Sequence, residues 1–118
     1  MESLELTRAI AKVLDTKKAA DIKAIRTEEV TIVSDYIIIA SGTSNTHTKS
    51  LADDVEYELG KLGVKPDHIE GKATGWILLD FGTVIVHVFQ AETREFYNLE
   101  RLWADAQQVD LSDIITEN

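Results

Sequence analysis

The sequence predicts one α/β domain: a mixed β-sheet flanked by helices, in the order α-β-β-α-β-β-β-α. Three observations lead there. Segments with the apolar repeat of a helix alternate with short segments rich in β-branched residues. One short segment, Tyr36-Ile37-Ile38-Ile39-Ala40, is apolar on both faces, as a strand in the middle of a sheet is. The stretch "GWILLDFGTVIVHVF", Gly75 to Phe89, reads as two strands joined by a tight turn.

The chain has 118 residues, enough for one domain with a real core. Composition is that of an ordinary globular protein, 44% hydrophobic and 28% charged. There are no cysteines, so disulfides, thiolate metal sites and cysteine nucleophiles are excluded. The start, "MESLELTRAIAKVL", carries charges throughout and is neither a signal peptide nor a membrane span, which favours a bacterial cytoplasm. Net charge is −9, and the Lys and Arg residues are scattered. A nucleic-acid binder usually shows a basic stripe, because neutralising phosphates supplies most of its affinity. Little direct nucleic-acid contact is therefore expected. The acidic balance suits a basic protein partner, or it serves solubility alone.

The elements follow in order. Ser3 can cap a first helix, in which Leu6, Ile10, Val13 and Leu14 make one apolar stripe. "DIKAIRT" is a short strand, and "EEVTIV" is a partner strand or a loop. "DYIIIASG" is the central strand. "SGTSNT" breaks it and offers helix caps, and Leu51, Val55, Leu59 and Leu62 line the helix that follows. Gly63 fits a left-handed C-terminal cap, and Pro66 prevents continuation. "DHIEG" is a short strand, and "KATG" leads into the hairpin. "ETREFYNLERLWADA" is a third helix with Phe96, Leu99, Trp103 and Ala106 on its inner side. The expected domain covers residues 1–106, and 107–118 is an acidic tail that docks weakly.

A two-residue turn at Gly82-Thr83 would pair Phe81 with Val84, Leu79 with Val86 and Ile77 with Val88. Those residues share one wholly apolar face, the core. The other face carries Trp76, Leu78 and Asp80 opposite Phe89, His87 and Ile85. A carboxylate is costly to bury unpaired. Either a helix covers this second face with Asp80 near its edge, or part of it stays open and docks a partner around a Trp anchor. Periodicity leaves both open.

Little in the residues points to catalysis. His47, His68 and His87 lack metal-binding spacing. "GKATG" lacks the spacing and context of a phosphate loop. "SGTSNTH" joins a strand to a helix, where amides can hold an anion, but a turn with a helix cap explains it as well. Asp54 and Glu56 would point apart on a helix. Asp35 fits a turn. No metal, no cofactor and no catalytic residue is expected.

The blocks "TIVSDYIIIASGTSNTH", "EG", "GWILLDFGTVIVHVF" and "REFYNLERLW" closely resemble the ribosomal silencing factor (RsfS, Iojap) family in order and spacing, from about Leu4 to Trp103. The resemblance implies a nucleotidyltransferase-like fold without that superfamily's strand-borne carboxylates. It implies a translational repressor that binds the large ribosomal subunit through ribosomal protein uL14, blocks joining with the small subunit and silences ribosomes under nutrient limitation. Organellar relatives act in large-subunit assembly. Carried over to this chain, it marks Trp76, Leu78, Asp80 and His87, with Tyr97 and Glu100 bordering them, as the partner-binding surface. Ile77 and Leu79 belong to the core, and Arg94 is ambiguous between a site residue and an ion-pair partner. Two other readings stand beside it: a nucleotide-dependent transferase using "SGTSNTH" with Asp35 or Asp80, and a homodimer of the free protein through the same face.

Overall fold

The computed structural model describes residues 1–71 and 74–116. Lys72 and Ala73 of the lead-in "KATG", and Glu117 and Asn118 of the tail, lie outside the described residues. The elements run α1 (Ser3–Thr16), β1 (Ala20–Arg26), β2 (Tyr36–Gly42), α2 (Asn45–Lys61), β3 (His68–Glu70), β4 (Trp76–Asp80), β5 (Val84–Gln90), α3 (Ala91–Tyr97), α4 (Leu99–Leu102) and β6 (Gln107–Gln108).

The strands form one six-stranded sheet in the order β3-β4-β5-β2-β1-β6. β2 pairs with β5 in parallel, and every other pairing is antiparallel. This is the expected mixed sheet, and the all-apolar β2 lies inside it with every residue buried. The hairpin register is also as expected: Ile77 faces Val88, Leu78 faces His87 and Leu79 faces Val86. Gly82, at φ +87, takes the left-handed conformation its turn needs, and Phe81 N–H donates to Val84 O at 2.9 Å.

Helices α1 and α2 cover one face of the sheet. Leu6, Ile10 and Leu14 of α1 and Leu51, Val55 and Leu59 of α2 pack there on Tyr36, Ile38, Ile77, Leu79, Val84, Val86 and Val88. Both helices are amphipathic at the period that faces these rows. α2 begins at a true cap, with the Ser44 hydroxyl accepting from His47 N–H at 3.0 Å. It ends as expected before Gly63, whose φ is +81. Ser3 does not cap α1: Glu2 holds the N-cap position with no side-chain cap, and the Ser3 carbonyl accepts from Thr7 Oγ1.

Of the two readings open for "EEVTIV" the loop is the one found, and two other segments, the third helix and the tail, depart from expectation. "EEVTIV" is a loop, pinned at its base by Thr27 N–H to Asp35 O (2.7 Å) and Thr27 Oγ1 to Ser34 O (2.9 Å). The third helix is two short ones, α3 and α4, broken at Asn98, which has φ +48 and ψ +56. The break rotates the two halves relative to each other, so Phe96 is not inside but 81% exposed. The tail, expected to dock weakly, joins the fold. Gln107–Gln108 pair with Ile25–Arg26 of β1, and Leu111 is buried in the main core beside Val109, Ile114 and Ile115.

Candidate functional site

The second face of the sheet is built by strand alternation and can be read row by row. Across it, Trp76 lies beside Phe89 and then Ser41. Leu78 lies beside His87 and then Ile39. Asp80 lies beside Ile85, Ile37 and Ile25. The two explanations open for this face are each true of one half. Over β1 and β2, Leu99, Trp103 and Ala106 pack on a second cluster of Ile25, Ile37, Ile39 and Phe89. Over β3, β4 and the outer side of β5, Trp76, Leu78, Asp80 and Ile85 are only half-buried.

Trp76 is the centre of the half-open part. Its indole stacks on Phe89 (ring centroids 5.0 Å apart, 28° between planes), with Tyr97 at 4.8 Å and His87 at 5.8 Å. Its Nε1–H donates to His87 Nδ1 at 3.1 Å. That bond requires Nδ1 to be the unprotonated nitrogen. Burial agrees, pushing the imidazole down from 6.5 to about 4, so His87 is neutral near pH 7. The expected site residue His87 is therefore on the right face but 8% exposed. It sits under the surface and fixes the Trp76 rotamer, because its acceptor nitrogen is already taken.

Tyr97 and Phe96 extend the aromatic surface. Their rings meet edge to face at 5.1 Å, and Tyr97 is 52% exposed. The exposed ridge thus runs Phe96, Tyr97, Trp76, with Leu78 below. Reading "ETREFYNLERLWADA" as one unbroken helix puts Phe96 on the inner side, whereas it is exposed. Asn98 was the available signal, as one of the few non-glycine residues that adopts the left-handed conformation readily.

Arg94 resolves as a structural clamp. It is buried, with Nη1 donating to Ser41 Oγ (2.9 Å) and Nη2 donating to Glu100 Oε2 (2.9 Å). A buried guanidinium needs such partners. Ser41 is the penultimate residue of the central strand and Glu100 lies in the first turn of α4, so the clamp locks both sides of the Asn98 break to the sheet. Glu100 is half-buried, bordering the ridge while holding Arg94.

Asp80 also has a local task. Its Oδ1 accepts from Gly82 N–H at 2.7 Å, which shapes the hairpin turn, and its Oδ2 is 3.8 Å from His68 Nδ1. Its side chain still reaches the surface at the rim of the open half. The other groups weighed for chemistry stay apart. Thr43 N–H donates to His47 Nδ1 at 2.9 Å, and His47 Nε2 lies 3.0 Å from Lys17 O, so "SGTSNTH" serves as cap and helix-helix tie. Asp54 and Glu56 lie on α2. Among the described residues no cluster of three or more acidic or imidazole side chains could hold a metal ion, and no helix is long and apolar enough to cross a membrane.

The fold is shared with solved structures. The X-ray structure of a protein from Chromobacterium violaceum superposes with a TM-score of 0.86 at 33% identity, covering 93% of this chain and 92% of that one. A crystal structure from Bacillus halodurans gives 0.75 at 30% identity, covering 92% and 96%. In sequence, the chain is 32% identical to ribosomal silencing factor RsfS of Halalkalibacterium halodurans, over 98% of this chain and 100% of that protein. It is 35% identical to that of Bacillus subtilis over 94% and 95%. A mouse relative, mitochondrial assembly of ribosomal large subunit protein 1, is 35% identical over 80% of this chain and 43% of its own length. The model of the family "Ribosomal silencing factor during starvation" matches residues 1–118. The chain belongs to that family, and the match includes the tail, which the four sequence blocks had left out.

Proposed function

We propose that this protein is a ribosome-binding translational repressor. It docks on the large subunit through ribosomal protein uL14 by the open half of its sheet, and its bulk then keeps the small subunit from joining. The observation that carries this reading is the Phe96–Tyr97–Trp76 ridge with Leu78. It is an exposed aromatic surface on the half-covered part of the second sheet face, in a family named for ribosome silencing. Aromatic anchors preset by packing lose little side-chain freedom on binding. Asp80 and Glu100 supply carboxylates at the rim, which suit a basic ribosomal protein and speed its encounter with a body of net charge −9. His87 acts from beneath by holding Trp76. The action is binding without turnover, and the Ser44 turn, spent on capping α2, supports that.

The test is co-sedimentation with large subunits on sucrose gradients. Trp76→Ala is expected to weaken binding at least about tenfold, with the loss of an anchor worth about 2 kcal/mol, and to restore joined ribosomes. Trp76→Phe, which keeps a ring on Phe89, controls for folding. Normal binding by a folded Trp76→Ala protein would overturn the assignment of this face.

The name of the mouse relative favours a second reading, a role in large-subunit assembly through the same contact. Accumulation of large-subunit precursors on depletion, with joining unaffected, would favour it. The free protein would pair through the same apolar patch as a homodimer, and light scattering with and without uL14 tests whether the two contacts compete.

A further inference from the structure

On the far side of the sheet from the Trp76 ridge, α1 and α2 leave a groove between them of about 370 Å³. Its floor is Ala9, Val13, Leu59 and Leu62, and Leu62 is exposed although apolar. Its rim is cationic: Lys12 on α1, Lys17 capping the C-terminus of α1, and Lys61 on α2. The one carboxylate lining it, Glu58, pairs with Lys61 at 3.2 Å, and Lys61 also lies over the Tyr57 ring. Lys12 and Lys17 form no ion pair among the described residues. A local excess of positive charge around an apolar floor is unusual on a chain of net charge −9.

We infer that this groove is a second docking site, and that it takes an acidic amphipathic helix of a partner protein. Positions 9, 12, 13, 16 and 17 follow the i, i+3, i+4, i+7, i+8 spacing of a single helix face. They run over about 12 Å, which is two turns of a helix. A third helix laid into the groove would place its own apolar stripe on Val13 and Leu62. Carboxylates flanking that stripe would meet Lys12 and Lys17. An open trough between two helices gives an extended segment of chain such a seat, whereas a small molecule would leave most of it wet. This inference goes beyond the proposed ribosome contact and does not depend on it. Because the two surfaces lie on opposite sides of the sheet, one copy can hold both partners at once.

The test uses the full chain, labelled with ¹⁵N, and a synthetic helical peptide of about 16 residues, long enough to hold helical structure. The peptide carries Leu at i, i+3, i+4 and i+7, with Glu on both flanks. The expected result is saturable shift changes confined to residues 9–17 and 58–62. The double substitution K12E/K17E should bind roughly tenfold more weakly, and Trp76→Ala should bind as the native chain does. The uncharged pair K12Q/K17Q should show a smaller loss in the same direction, which keeps the test valid if charge reversal disturbs α1. The inference is overturned if a peptide with Lys in place of Glu binds equally well, or if shifts appear elsewhere. It is also overturned if the lysines instead carry the protein onto anionic phospholipid vesicles without binding the peptide.

Discussion

The two halves of the second sheet face begin from the same material and end differently. Over β1 and β2, Ile25, Ile37 and Ile39 are sealed by Leu99, Trp103 and Ala106. Over β4 and β5, Leu78 and Ile85 are left half-exposed beneath an aromatic ridge. Both halves alternate apolar residues at the period of a strand. The difference lies in where the segment after β5 is held. The left-handed turn at Asn98 and the Arg94 clamp to Ser41 and Glu100 direct α4 onto β2 and leave β4 uncovered. An apolar strand face therefore says only that something must cover it. The covering element decides whether that cover is the protein itself.

The largest effect should come from cutting the sealed half. Ile39→Ala is expected to cost about 2–5 kcal/mol in urea unfolding, with normal ribosome binding by the molecules that remain folded. The matching cut on the open half, Leu78→Ala, should cost less than about 1 kcal/mol in stability while weakening co-sedimentation. Equal stability losses would erase the contrast between the halves.

An acid titration probes the support beneath the ridge. His87 titrates lower in the folded chain, about 4, than its ordinary value of 6.5. As pH falls, the unfolded chain takes up the proton first. Stability is therefore full above about pH 6.5 and declines towards pH 4, by up to about 3 kcal/mol. His87→Gln, which keeps an acceptor for the indole N–H, should flatten that part of the melting-temperature profile. An unchanged slope would mean that other groups set it. The smallest stability effect belongs to Phe96→Ala. Its ring is exposed, so unfolding should shift by no more than about 0.5 kcal/mol, and any defect should appear in binding alone.

Much of this was legible in the sequence. The central strand, the hairpin register across Gly82 and the division of Ile77 and Leu79 from Trp76, Leu78 and Asp80 all follow from side-chain alternation, which local sequence states directly. The half-covering was not legible, because it depends on one backbone conformation at Asn98 and on a buried helix arginine contacting a serine of the central strand. Phe96 was misplaced for the same reason. His87 looked like a surface residue because alternation gives its face but not its depth. Leu111 was passed over because Val109, Leu111, Ile114 and Ile115, spread among acidic and polar residues, make too short a run to show a helix or strand period.

The two halves also differ optically. The chain has two tryptophans, one under each fate: Trp103 against the sealed half and Trp76 in the open one. Removing either by Trp103→Phe or Trp76→Phe leaves a single emitter whose colour reports one half alone. A partner seated on the ridge would dry the Trp76 indole and move its emission to the blue, while Trp103 would keep its colour. The protein thus carries its own built-in label for asking which side of the Asn98 turn a ligand has touched.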